Sequence, residues 1–559
     1  MRSAPGSLAG VSSPRPTSVA GTVLEDVADV VGAPIAETAE TAAGIPVTGV
    51  SLDSRSIRPG DLYAALPGQR QHGADHAAQA LTAGAVALLT DPAGLERLGG
   101  LMSESVPVPV LVVPDPRAVL GAAAALVYGD AATALTLVGI TGTNGKTTTA
   151  YLVESGLRAL GQDTGLIGTV ETRIRDTRVP SVRTTPEAPD LHALFAVMRE
   201  QGAAVVVMEV SSHALAQHRV DGAVFDVALF TNLSQDHLDF HGDMEAYFAA
   251  KATLFTPEHA RRGVVCVDDP WGARLAGESG VPVVTVASRL GVRADWVVQH
   301  HDDWPRFSLI GPAGHLTLQC QLPGEFNVVN TAMAAVALIE LGHPLHAVSE
   351  AMRHEPVVPG RMEVVTATDP DPERDPRCIV DYAHTPDAVE AALRALRPTT
   401  PGRLVVVLGA GGDRDKGKRR AMGAAAAEWA DDVIVTDDNP RSENPSSIRA
   451  ELRLGATEGV ARSNHPASQA RPPARPIHAP GHALGGSSSV VDCSGRARAI
   501  AAAVQSARQG RPASDNTVLV LGKGHETGQE IAGVVHAFDD RDALRAALDG
   551  LVYRPEATS

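Results

Sequence analysis

Leu135-Thr136-Leu137-Val138-Gly139-Ile140-Thr141-Gly142-Thr143-Asn144-Gly145-Lys146-Thr147-Thr148 is the stretch on which the fold turns. The apolar run Leu135–Ile140 reads as a buried strand feeding a glycine turn. A helix is expected behind it from about Lys146 to Leu160, with Gly161 as its stop signal. Backbone N–H groups of a glycine loop at a helix N-terminus hold phosphates, helped by the helix dipole. In such a loop Lys146 would reach the β and γ phosphates of ATP, and Thr147 would meet Mg²⁺. The generic Walker spacing wants glycine where this chain has Ile140, and Gly139 stands one place early. The narrower signature Thr-Gly-Thr-x-Gly-Lys-Thr-Thr is met in full by Thr141–Thr148.

Strand-like and helix-like patterns alternate on both sides of this stretch, which predicts α/β domains. A chain of 559 residues has room for roughly three or four domains. The reading is a disordered leader over 1–23, a first domain over 24–134, a central domain over 135–362 and a third over 363–559. The central domain is expected to be a P-loop-type, doubly wound, ATP-binding sheet, and the third to be Rossmann-like. In the third, strands are predicted at Cys378–Val380, Leu404–Leu408, Val433–Thr436 and Val518–Leu521. Each runs straight into a polar or glycine-rich motif. Open α/β sheets bind ligands at the carboxyl ends of their strands, so these motifs should share one rim. The stretch 456–489, rich in Pro, Ala, His, Ser and Gly without periodicity, reads as a disordered insertion.

Composition narrows the function classes. The net charge of −17 argues against a general nucleic-acid binder. Four scattered cysteines without Cys-x-x-Cys suit a reducing cytoplasm rather than a disulfide framework or a zinc site. The apolar run Ala118–Tyr128 is too short to span a bilayer, so no membrane insertion is expected. The 48 basic residues include only five lysines: Lys146, Lys251, Lys416, Lys418 and Lys523. All five lie in motif-like stretches. A compact amine that meets phosphate or is chemically modified cannot be exchanged for a guanidinium.

Two further strands point at metal chemistry. Ala203–Met208 delivers Glu209, and Val224–Phe230 delivers the run Thr231–Asp239, which contains His237. A carboxylate and an imidazole at adjacent strand ends are suitable for Mg²⁺, although that ion prefers oxygen. Lys251 follows on a helical segment, Glu245–Lys251, and an amine by itself is a poor magnesium ligand.

The loop Thr141–Thr148, with Glu209, His237 and Lys251 behind it, resembles the Mur ligases and the related folylpolyglutamate synthases. Over roughly residues 45–545, apart from the insertion, the resemblance is to Mur ligases of the diaminopimelate-adding kind. It implies that Gly142, Thr143, Asn144, Gly145, Lys146, Thr147 and Thr148 hold ATP, together with Asn327 and Asn330 of Gly324–Asn330, Arg361 and Asp381. It implies that Lys251 is carbamylated by CO₂ into a carboxylate, and that Thr147, Glu209, His237 and Lys251 serve as metal ligands. Lys146, Glu209, His237 and Lys251 form the implied catalytic set. Leu52 and Ser54 of Leu52-Asp53-Ser54-Arg55, with Thr184, Thr185, Ser211, Gln217 and Arg219, would hold a UDP-N-acetylmuramoyl dipeptide. The family's Gly-His-Gln stretch reads Gly68-Gln69-Arg70 here, and Arg183 replaces an asparagine common before the two threonines.

Asp438-Asn439-Pro440-Arg441 resembles the diaminopimelate motif, with Arg414, Gly522 and Glu526 as its companions. Diaminopimelate ends in an amine and a carboxylate. Arginine can take the carboxylate bidentately and Glu526 can take the ammonium. The implied reaction is ATP-dependent amide formation through an acyl phosphate, by a cytoplasmic monomer. A lysine-adding counterpart, a folylpolyglutamate synthase-like ligase and a P-loop switch or motor ATPase are the alternatives. They differ in the amino acid used, in lacking Leu52–Arg55 and Asp438–Arg441, or in hydrolysing ATP without an amino acid.

Overall fold

The computed structural model describes residues 14–19, 21–33, 44–68, 70–101, 107–179, 183–301, 305–320, 322–354, 356–463, 489–509 and 512–554. Among them, four short parallel strands, in the order Gly49–Ser51, Asp61–Ala64, Ala87–Thr90 and Val110–Val112, form the sheet of the first domain. The central sheet has eleven strands. Thr136–Thr141 runs parallel between Val205–Glu209 and Val227–Phe230. Alternation along this strand sends side chains to opposite faces. Val138 and Ile140 join one apolar cluster with the helices Lys146–Ala159 and Glu325–Glu340. Leu137 joins another with the helices Pro116–Val127 and Ala188–Glu200. Both faces are therefore covered, which is why the strand reads as a continuous apolar run.

Register sets the level of the site. Glu209 pairs with Ile140 and Phe230 with Thr141, so both neighbouring strands end beside the glycine loop. The strand carrying Glu209 begins two residues later than its apolar run. Gly202, at φ 80°, closes the preceding helix, and Ala203 N–H bonds back to Met198 O. In the third domain Arg377–Asp381, Thr517–Leu521, Leu404–Leu408, Asp432–Val435 and Ser489–Asp492 lie parallel in that spatial order, with Glu363–Val365 antiparallel at one edge. Asp381 and Leu408 both pair with Leu521, so Asp381, Gly409 and Gly522 leave the sheet at one level.

Two boundaries differ from the sequence reading. The leader's last residues are structured: Thr22–Val23 pairs with Pro46–Val47, Arg15 binds the buried Asp61 at 2.6 Å, and Thr17 N–H donates to Glu200 at 3.0 Å. Residues 1–13 lie outside the described residues. The expected insertion starts too early, because one helix runs from Pro445 to Ser463. Its Gly455 and Gly459 pack against the helix Lys418–Trp429, where a Cβ on Gly455 would meet Arg420 O at 1.9 Å. A glycine and alanine face made for close helix contact reads as low complexity. The rest of that expected insertion, 464–488, lies outside the described residues.

The first and central domains also share a core, since the helices Pro116–Val127 and Ala188–Glu200 belong to one apolar cluster. Gly121 sits at this junction, and a Cβ there would lie 2.2 Å from Asp221 O. Gly121→Val is therefore expected to destabilise the protein by about 1–3 kcal/mol through overpacking. A urea midpoint equal to wild type would contradict this.

Buried and half-buried histidines give stability a defined pH dependence. His192, buried with Nε2 2.9 Å from Asp221 O, is held below its ordinary pKa by burial. Burial and the neighbouring Lys418 hold His384 down, and burial with Arg361 and Arg541 takes His525 to about 3. Unfolded histidines bind protons near pH 6.5 while these folded ones do not. The unfolded state thus binds more protons, and stability must rise with pH through this range. The urea midpoint is expected to fall steadily from pH 7 to 5. A flat profile would show that these rings protonate in place.

Candidate active site

Gly142 and Gly145 take φ values of 144° and 87°, which L side chains rarely adopt. They turn the chain from the strand into the helix that starts at Lys146. The loop is fastened to the segment after Phe230. Thr143 N–H donates to Asn232 O, Asn144 N–H donates to Asn232 Oδ1, and Thr231 Oγ1 donates to Asn144 O. Thr143 Oγ1 accepts from Ser234 N–H and lies 3.1 Å from the Tyr247 hydroxyl. Thr148 is buried in the first helical turn.

Thr147 is the meeting point of the site. Its hydroxyl donates to Glu209 Oε2 at 3.0 Å and accepts from the Arg361 guanidinium at 3.2 Å. Glu209 is 1% exposed and also accepts from Thr169 N–H and Thr169 Oγ1. Arg361 lies 4.3 Å over the Tyr382 ring, and its buried Nε–H has no hydrogen-bond partner among the described residues. That free donor beside a glycine loop suits an anionic nucleotide. Asp381, at the strand end, accepts from Met362 N–H and Ala383 N–H, and burial raises its pKa. Asn330 bridges Thr149 Oγ1, at 3.3 Å, and Asn327 Oδ1, at 3.2 Å, so the two asparagines form one chain beside the loop.

Two lysines converge on one carbonyl. Lys146 Nζ donates to Gly142 O at 2.9 Å, and Lys251 Nζ donates to the same oxygen at 2.8 Å. Lys251 is 1% exposed, 4.7 Å over the Tyr247 ring. Burial, reinforced by the charge of Lys146, drives its pKa well down. Burial also lowers Lys146, against the pull of Glu209. Amines react with CO₂ in their neutral form, and the lowered pKa of Lys251 favours that form. His237 is more open, with its ring 4.8 Å from that of His213 and Nε2 3.5 Å from Asp236. Burial, outweighing Asp236, pushes its pKa to about 4, so it is neutral at pH 7. Among the described residues no three His, Cys, Asp or Glu side chains come close enough to hold a metal. The hard oxygens of Thr147 and Glu209 do fit Mg²⁺, with a further anionic oxygen required from elsewhere.

Thr185 Oγ1 donates to Glu209 O and accepts from Ser211 N–H, and Thr184 Oγ1 lies 3.0 Å from Thr169 Oγ1. Gln217 Oε1 accepts from Arg219, whose guanidinium also binds Glu187 at 3.1 Å. Glu187 receives Arg117 of the first domain at 3.1 Å and Arg183 at 2.7 Å as well. This places Arg183, which carried no role in the sequence reading, in a cluster of three arginines around one carboxylate. Leu52 packs on the shared core, and Ser54 Oγ donates to Gln79 Oε1, so these two belong to the first domain. Gln69 lies outside the described residues.

On the third domain's rim, three loops are stitched together. Gly412 N–H bonds Asn439 O, Arg441 donates to Gly412 O at 2.6 Å, and Arg441 N–H bonds Glu530 O. Arg414 is exposed beside this loop. Asn439 Nδ2 donates to Glu526 Oε2 at 2.7 Å. Asp438 O, ahead of Pro440, accepts from Gln529, and a Cβ on Gly522 would fall 2.2 Å from Asp438 Oδ2.

The sequence reading gave no role to Thr169, Asp236 or Glu187, and it singled out Lys523 among the five lysines without assigning its contacts. Thr169 follows the strand Thr164–Ile167, so the strand-end rule could have found it. Asp236 is buried and lies 3.9 Å from His384 and 3.8 Å from Lys418, both across the domain boundary. Its partners sit far away in sequence, and only the fold brings them together.

These features are those of an ATP-dependent ligase. The chain matches the family models described as Mur ligase family, catalytic domain, over residues 46–128, Mur ligase middle domain over 140–338, and Mur ligase, glutamate ligase domain over 360–473. It belongs to the Mur ligase family. It is 50% identical to the UDP-N-acetylmuramoyl-L-alanyl-D-glutamate--2,6-diaminopimelate ligase of Streptomyces avermitilis, over 96% of this chain and 98% of that one. The ligase of the same name from Corynebacterium glutamicum is 47% identical over 90% and 92% of the two chains. A solved structure of such a ligase superposes with a TM-score of 0.62 at 30% identity, covering 95% of this chain and 99% of that one.

Proposed function

We propose that this Mur ligase joins diaminopimelate to the D-glutamate of UDP-N-acetylmuramoyl-L-alanyl-D-glutamate, with ATP converted to ADP and phosphate. Relatives that are 45–50% identical over most of the chain carry that activity in their names. The observation that carries the mechanism is the Thr147 hydroxyl, which joins Glu209 of the central domain to Arg361 near the start of the third. The D-glutamate γ-carboxylate attacks the γ-phosphorus of ATP, giving an acyl phosphate and ADP. The diaminopimelate amine then attacks the acyl carbon, loses a proton, and phosphate departs.

The loop N–H groups and Lys146 hold the phosphates, and Asn327, Asn330 and Asp381 flank the nucleoside. Lys251 in its neutral form adds CO₂ through nitrogen, releases one proton and becomes a carbamate. Thr147 and Glu209 would hold one Mg²⁺, and Glu209, His237 and the Lys251 carbamate another. Bound Mg²⁺ would offset the repulsion between a carboxylate and a triphosphate. Thr184, Thr185, Ser211, Gln217, Arg219, Leu52 and Ser54 hold the nucleotide dipeptide. Arg414, the Asp438–Arg441 run, Gly522 and Glu526 receive the amino acid.

A cytoplasmic monomer completes the proposal. Free thiols at Cys266, Cys320, Cys378 and Cys493 suit a reducing compartment, and the residues proposed to hold the three substrates all lie on one chain. Among the described residues no helix is long and apolar enough to cross a membrane. The test is phosphate release with ATP, Mg²⁺ and the UDP dipeptide, with diaminopimelate or L-lysine as the amine. Release with diaminopimelate alone is expected. Release without any amino acid, or with lysine alone, would overturn the reading.

A further inference from the structure

We propose that Lys523 is a positioning residue that sets the amino-acid preference. It offsets the charge of Glu526, so the pocket favours a side chain ending in both an ammonium and a carboxylate over one ending in an ammonium alone. This rests on the diaminopimelate reading above.

Lys523 is 0% exposed, and lysine is almost never fully buried unless paired. Its Nζ reaches Glu526 Oε2 at 3.1 Å, Asn439 Oδ1 at 3.3 Å and Gly528 O, which uses all three of its protons. Asn439 is thereby fixed in one orientation. Its Oδ1 accepts from Lys523 and from Glu530 N–H, so its Nδ2 must face Glu526. Glu526 Oε2 accepts two donors. Its Oε1 has no hydrogen-bond partner among the described residues, and the side chain is about one-third exposed. Glu526 therefore offers one oxygen to an incoming ammonium, with a fixed positive charge directly behind it.

The second half of the pocket is balanced in the same way. Arg441 Nε lies 3.4 Å from Glu530 Oε2, and Glu530 is tied through its backbone N–H to the same Asn439. A lone ammonium entering this frame meets a carboxylate already matched by Lys523, with Arg441 and Arg414 close to the same loop. A terminus that adds a carboxylate satisfies the arginines as well. Lysine would thus be excluded by the buried charge of Lys523 behind Glu526.

The experiment compares kcat/KM for diaminopimelate and for L-lysine in wild type, Lys523→Met, Glu526→Gln and the double variant. Lys523→Met is expected to lower the diaminopimelate value and raise the lysine value. Their ratio should fall roughly 10- to 1,000-fold, the scale on which one neighbouring charge shifts an ionic equilibrium. KM for ATP should stay unchanged. In the double variant lysine use should drop back, because Glu526 is then no longer unmasked. Equal losses with both amines, or a ratio unchanged from wild type, would overturn the proposal. If Lys523→Met does not fold, Lys523→Arg and Lys523→Gln decide: the preference should survive in the first and weaken in the second, and any other pattern refutes it. A wild-type enzyme that does not depend on diaminopimelate would instead defeat the underlying reading.

Discussion

Lys251→Met is expected to lower kcat roughly 100- to 1,000-fold, the usual loss when one fixed charge-stabilising group is removed, without lowering Tm. The two halves of this expectation have different origins. The side chain is buried, its pKa is driven down, and its one hydrogen bond among the described residues is to Gly142 O, which Lys146 also contacts. Methionine fills similar space without a desolvated amine, so the fold should tolerate it. Catalysis should suffer because only the lysine can become a carbamate. Formate or acetate added to Lys251→Ala should restore part of the rate by supplying the missing carboxylate. Wild type stripped of CO₂ should slow, and recover with bicarbonate. A Lys251→Met enzyme with full activity would show that the amine and its carbamate are dispensable.

The largest expected effect on stability lies away from the chemistry. Arg496 and Asp540 are both fully buried and joined by two bonds of 2.6 Å. The guanidinium also caps Leu521 O, at the end of the strand that leads to Gly522. Asp540→Ala leaves an unpaired buried cation and should cost about 3–5 kcal/mol. The double variant Arg496→Met with Asp540→Leu should be less damaged than Asp540→Ala, because no orphan charge remains. Urea unfolding of the three proteins checks this. A double variant as unstable as Asp540→Ala would mean that packing, not charge, governs the site.

The phosphate loop was legible because its information is local: a buried strand, glycines where φ is positive, and a lysine at a helix start. The placement of Glu209 and His237 beside that loop was legible for a related reason, since each follows an apolar strand that ends at the same level of the sheet. The contacts of Lys523 and Glu187 were not. The meaning of Lys523 depends on Asn439, 84 residues away, and that of Glu187 on Arg117, 70 residues away. The helix end at Ser463 was hidden for a third reason. Its buried face is built from Gly455, Ala456 and Gly459, residues that a hydrophobic period does not register. The doubly wound reading of the central sheet held because the strand Thr136–Thr141 is covered by helices on both faces, whereas the division at residue 134 ignored a core shared across it.

Arg361 on Thr147, with Lys418 and His384 facing Asp236, puts the joint between the second and third domains at the proposed nucleotide site. Two ligands that favour one arrangement of a joint must help each other by equal factors, whichever arrives first. Nucleotide affinity and amino-acid affinity in this protein are then not independent quantities. On the proposed function, a ligand on the Asn439–Glu526 contact that favours the same arrangement as ADP is expected to tighten ADP binding by the factor by which ADP tightens its own. Screens run with one site empty would undervalue both.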